Sequence, residues 1–95
     1  MQVTLTITMT RPSVDIPYFN PQETTAPEFL AWKEWTEANT TSNITHPDDL
    51  TQVITITMSA NDWPQYVSLA GSIKHLDTYA EDTGITMMLN PVWHD

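Results

Sequence analysis

The chain opens on a strict alternation. Val3, Leu5, Ile7 and Met9 are separated by Thr4, Thr6, Thr8 and Thr10, a period of two that predicts a strand with one aliphatic and one threonine face. Residues 11–26 then lose all periodicity and carry Pro12, Pro17 and Pro21, which rules out a helix or a central strand. Val14, Ile16, Tyr18 and Phe19 make this loop too apolar for disorder, so it reads as an arm lying on a surface, its own or a partner's. A first helix is predicted from Pro27 to Asn39, with Pro27 in the tolerant first turn and a broad apolar side of Phe29, Leu30, Trp32, Trp35 and Ala38. A short strand over 42–47, a turn at Pro47-Asp48-Asp49 and a strong strand from Gln52 to Ser59 follow. A second helix is expected to start at an Asn61 cap, with Ser59 the other choice. It carries the stripe Tyr66, Leu69, Ala70, Ile73, Leu76 and Ala80, and ends before Gly84. The last strand is Ile85 to Leu89, with Pro91 ending regular pairing.

The order is β-α-β-β-α-β. Residues 4–10 and 53–59 echo one another, and each copy leads into a helix and then a strand. Two such crossovers place both helices on one face of a four-stranded antiparallel sheet, with the first and third strands in the centre. The aliphatic sides, including Ile85, Met87 and Leu89, are expected to pack under the helices. The other side would show Thr4, Thr6, Thr8, Thr10, Val53, Thr55, Thr57, Thr86 and Met88, with no charged residue among them. An uncharged sheet face with no third layer of helices calls for a cover. The expected cover is a second copy of the chain, giving a homodimer through this threonine-rich face.

Composition sharpens this picture by exclusion. The chain has 95 residues, enough for a single domain over 1–95 with 11–26 as an inserted loop. Lys and Arg total 3 against 12 Asp and Glu, a formal charge of −9, which argues against nucleic acid and anionic lipid as partners. Cys is 0, so thiol chemistry and thiolate metal sites are out. No apolar run approaches a membrane span, and Met1-Gln2-Val3 is no signal-peptide start, so the expectation is a cytoplasmic protein. Gly is 2, which leaves no glycine-rich phosphate loop, and no cofactor is expected.

The run Asp48-Asp49-Leu50-Thr51-Gln52-Val53-Ile54-Thr55-Ile56, followed by Asn61-Asp62-Trp63, resembles the hairpin turn, central strand and Trp-bearing helix start of the dimeric ferredoxin-like (dimeric α/β-barrel) superfamily, which includes the antibiotic-biosynthesis monooxygenases. The resemblance implies an α+β, ferredoxin-like βαββαβ fold and a dimer whose sheets meet face to face. It also implies that Trp63 and His75 stand where haem-degrading members have a Trp and a His. Asn61, Trp63 and Tyr66 are the nearest matches to the Asn, Trp and Tyr of the aromatic monooxygenases. The first strand offers Thr where the haem-degrading members use Asn, and no basic residue stands for the expected Arg. The resulting expectation is a non-catalytic homodimeric module. The alternative is a cofactor-independent monooxygenase-like or haem- or aromatic-ligand-binding protein. Separately, Thr10 to Phe19 looks like small uncharacterised proteins of marine phages, a likeness that brings no known activity.

The candidate residues also have plainer readings. His75 lies off the Ile73/Leu76 stripe and reads first as an exposed or interface histidine. Trp63 reads as an anchor closing the second helix onto the sheet, Trp32 and Trp35 as packing, and Trp93 as a cap on the sheet edge or a reach across a dimer. His46 with Asp48 and Asp49, and His94 with Asp95, lack the further ligands a metal needs, and no metal is expected. The scattered carboxylates form no pair for acid–base work and serve solubility.

Overall fold

A computed structural model of the chain describes residues 1–73 and 76–95. It shows a mixed α+β domain built on one four-stranded antiparallel sheet. The elements are β1 (Gln2–Thr10), α1 (Pro27–Asn39), β2 (Thr41–Asp48), β3 (Thr51–Ser59), α2 (Trp63–Gly71), α3 (Leu76–Thr83) and β4 (Thr86–His94), with short 3-10 turns at Glu23–Thr25 and Ala60–Asp62. The strand order is β2-β3-β1-β4, so the two most regular strands are central.

Alternation in the sequence becomes alternation in burial. Val3, Leu5, Ile7 and Met9 are buried, and so are Ile54, Ile56 and Met58 on the neighbouring strand. The register sets Val3 against Met58, Leu5 against Ile56 and Ile7 against Ile54, which makes these side chains one layer on one face. Phe29 of α1, Tyr66 of α2, and Ile73 are buried with them, so α1 and α2 cover the same side of the sheet. Gln52 is a buried polar member of β3. Its amide oxygen shares a 3.0 Å hydrogen bond with His46 Nε2, and its amide nitrogen points at the Met9 sulfur.

The proline-rich arm lies on the chain's own helical side. Arg11 pins it: Nη1 donates to Ile16 O, Nε and Nη2 donate to Asp49 O, and the guanidinium sits 4.4 Å from the Tyr18 ring centre. Tyr79 Oη donates to Pro17 O, and Ile16, Tyr18 and Phe19 pack against the core. The arm therefore leaves the opposite sheet face uncovered.

Four expectations need correction. The second helix is divided into α2 and α3. Ser72 N and Ile73 N reach back only three residues, to Leu69 O and Ala70 O, and Ser72 Oγ also donates to Leu69 O, so tightened turns end α2 although the apolar stripe runs on. Ser59 rather than Asn61 makes the cap, its side chain accepting from Asn61 N at the 3-10 turn that precedes α2. Pro91 does not end pairing: β4 continues to His94, with Pro91 opposite Leu5 and Trp93 opposite Val3. An edge strand tolerates proline because one row of its backbone groups has no ladder partner. Leu89, expected under the helices, is 60 % exposed, because the helices cover the centre of the sheet and not this edge. Gly84 does close α3 in the left-handed region, at φ 80, with its N–H donating to Ala80 O.

Thr36 on α1 is buried, and its hydroxyl has no hydrogen-bond partner among the described residues. An unpaired buried hydroxyl costs about 1–3 kcal/mol. Thr36→Val keeps the shape and removes the hydroxyl, so it is expected to raise stability by about 1 kcal/mol, read as a higher urea midpoint at unchanged slope. A lower midpoint would mean that the hydroxyl is paired.

Candidate functional site

Two surfaces stand out, one on each side of the sheet. The first is the open face. Cross-strand register arranges it in rows: Thr41, Thr57, Thr4 and Val92; Asn43, Thr55, Thr6 and Asn90; Thr45, Val53, Thr8 and Met88; Asp48, Thr51, Thr10 and Thr86. Asp48 is the one charged residue in these rows. Asp48 stands only at the hairpin corner, where its carboxylate accepts from Leu50 N and Thr51 Oγ1. Strand-to-strand hydroxyl bonding is visible at one end. Thr4 Oγ1 shares hydrogen bonds with Thr57 Oγ1 at 3.1 Å and with His94 Nε2 at 2.8 Å. Threonine suits such a face because it favours strands and carries a hydroxyl that both donates and accepts. Met88 and Val92 on β4 add 71 % and 50 % exposed apolar side chains to it.

The second surface is a cavity of about 600 Å³ between the covered face of the sheet, α1 and α2. Leu5, Ile7, Met9 and Ile54 line it from the sheet, Phe29 and Trp32 from α1, Trp63, Tyr66 and Val67 from α2, and Met87 and Leu89 from β4. Tyr66 is the hub of an aromatic cluster. Trp63 stacks on it at 5.8 Å and 19°, Trp32 and Trp35 lie tilted at 6.5 and 6.4 Å, and Trp93 meets Trp63 edge-on at 5.5 Å. Trp93 thus closes onto its own chain's Trp63. The Trp32 indole N–H points toward the Tyr66 phenol but stops short of a formed hydrogen bond.

Of the site candidates, Trp63 and Tyr66 share this cavity. Asn61 is exposed on the 3-10 turn, with its backbone N–H held by Ser59, and it does not line the cavity. His75 lies outside the described residues. Trp32, missed as a site residue because its three-residue spacing to Trp35 reads as packing, also lines the cavity. His46 and His94 are engaged by Gln52 and Thr4, and among the described residues no cluster of three or more His, Cys, Asp or Glu is placed to hold a metal ion. No helix among the described residues is long and apolar enough to cross a membrane.

Burial pushes the Tyr66 phenol above its ordinary value of 10.0, and the nearby Trp32 N–H partly opposes this. The neutral phenol is therefore the form the fold prefers. Its stabilisation is complete below the unfolded value near 10 and is lost as pH rises through the higher folded value. Tyr66→Phe has no phenol to ionise, so its urea midpoint is expected to fall less between pH 9 and 11.5 than the wild type's. An equal fall in both proteins would contradict the account.

No protein-family model matches the chain, and no curated protein matches it.

Proposed function

We propose that the chain is a non-catalytic homodimeric module of ferredoxin-like topology, whose two copies meet through the open threonine face. The observation that carries this reading is a sheet face whose one charged residue, Asp48, stands at the hairpin corner, on a chain of net charge −9. Two such chains repel over most of their surfaces, and this face is where they approach without a charge penalty. Threonine hydroxyls donate and accept, so the array is complementary to itself, as a two-fold interface requires. Strands of nine residues, rising about 3.3 Å per residue and spaced about 4.8 Å apart, make a face of roughly 20 by 30 Å. That is close to the ~800 Å² per partner of a standard interface once side-chain relief is counted.

The strand order supports the fold assignment: with α2 and α3 taken as one divided crossover, the elements follow βαββαβ. The dimeric α/β-barrel resemblance, pairing sheet to sheet, points the same way, and a cytoplasmic location without nucleic-acid or membrane partners accords with the charge. Because the chain has no cysteine, an introduced thiol is unique. Thr6→Cys, at the centre of the face, is expected to be linked into a covalent dimer by a short bismaleimide, whereas Glu37→Cys on the exposed side of α1 is not. Equal linking of both, or of neither, would remove the reading.

A further inference from the structure

We infer that the outer edge of β4 is a docking site for an extended segment of another protein, which joins the sheet as an antiparallel strand with aliphatic side chains between basic flanks. The edge lies beside the open face, and the inference does not depend on pairing through that face. Pro91 fixes which backbone groups are on offer. It stands opposite Leu5 in an unbroken register that runs from Gln2 and His94 to Thr10 and Thr86. Proline has no N–H, so the pairs that bond across to β1 are those on either side of it, Thr6 with Asn90 and Thr4 with Val92. Met87, Leu89 and Trp93 share the parity of Pro91 and therefore turn their N–H and C=O groups away from the sheet. These groups have no backbone partner among the described residues. A row of donors and acceptors at strand spacing takes an extended backbone.

The two edges of the sheet are guarded differently. β2 carries a register shift between Thr45 and Asp48, with Pro47 inside it and a carboxylate at its end. Bulge, proline and charge are devices that keep an edge unpaired. β4 has Pro91 alone, and no charged side chain from Thr86 to Trp93. On the helical side of the sheet Leu89 and Trp93 are 60 % and 46 % exposed, and Val67 of α2, 47 % exposed, borders the same opening as Leu89. An incoming strand buries them against aliphatic side chains of its own. In antiparallel pairing the residues set opposite Leu89 and Trp93 are also those whose N–H groups point at β4, so these side chains and these hydrogen bonds are read together. The net charge of −9 favours a partner with Lys or Arg beside the apolar stretch. A second copy fits less well, because pairing β4 with itself about a two-fold axis brings in a second Pro91 and doubles the missing donor.

A heteronuclear NMR titration of the full chain with the blocked peptide acetyl-Lys-Val-Thr-Val-Thr-Val-Lys-amide tests this. Saturable shifts are expected at the Met87, Leu89 and Trp93 amides, with smaller ones on β2. N-methylation of the valines removes the donors aimed at β4 and should weaken binding roughly tenfold or more. N-methylation of the threonines, whose donors point outward, should change it by less than about threefold. Glutamate in place of the lysines should weaken it severalfold. Leu89→Lys, at an exposed position, should weaken it roughly fivefold or more while the melting temperature moves by only a few degrees. Absence of saturable shifts on β4 up to millimolar peptide, equal effects of the two N-methylations, or strongest shifts on β2 would each overturn the proposal. So would a Leu89→Lys chain that sediments as a smaller species than the wild type, because a second copy would then hold the edge.

Discussion

Thr6→Glu is expected to convert a dimer into monomers without unfolding the chain. Thr6 lies in the middle row of the open face, paired with Thr55 on one side and Asn90 on the other. A two-fold axis through that region brings the substituted position near its own copy, so a single mutation installs two like charges in one desolvated patch. Juxtaposed like charges cost several kcal/mol, and about 3 kcal/mol already weakens the pair roughly a hundredfold. The side chain points away from the core, so the loss of strand preference is about 1 kcal/mol at most. Thr6→Ser keeps the hydroxyl and should keep the dimer. Gel filtration with light scattering checks both, and circular dichroism checks that the fold survives. A Thr6→Glu protein that stays dimeric would place the interface elsewhere.

Ile56→Ala acts through the other side of the same sheet and is expected to bring the domain close to unfolding. Ile56 is 0 % exposed, faces Leu5 across the central pair of strands and belongs to the buried core cluster. Truncating such a side chain costs about 2–5 kcal/mol through lost burial and the cavity left behind. A domain of this length holds roughly 5–14 kcal/mol in total, so the loss is a large fraction. The melting temperature should fall by more than about 10 °C at matched protein concentration. Leu89→Ala, at a position on the uncovered edge that is 60 % exposed, should shift it by only a few degrees. Equal shifts for the two variants would contradict the burial pattern.

These two mutations use the part of the architecture that the sequence exposes most directly. The alternation of Val3 to Met9 and of Ile54 to Met58 leaves little choice about which side chains go inward, because a one-residue slip would turn every aliphatic out. Pro27 and Asn39 bracket α1 as the helix-start and helix-end preferences of those residues indicate. The second crossover was less readable. Its apolar stripe runs on past Ser72 at helical spacing, while the backbone there tightens through Leu69 O and Ala70 O, a choice that side-chain periodicity does not record. Pro91 misled for a related reason: proline forbids a central strand but not an edge, and which strand is the edge is a property of the whole sheet. The cavity was partly visible in Trp63 and Tyr66, which are close in sequence. Trp32 enters it from another helix, and the resulting enclosure depends on tertiary packing that neither segment shows alone.

Everything proposed for the open face comes down to whether it is wet in solution. Sedimentation velocity over a hundredfold range of protein concentration answers this. The account predicts a boundary at twice the 10.8 kDa chain mass that gives way to the single-chain mass only on dilution. A single-chain boundary at every concentration would leave the threonine face exposed to water and contradict the two-copy account.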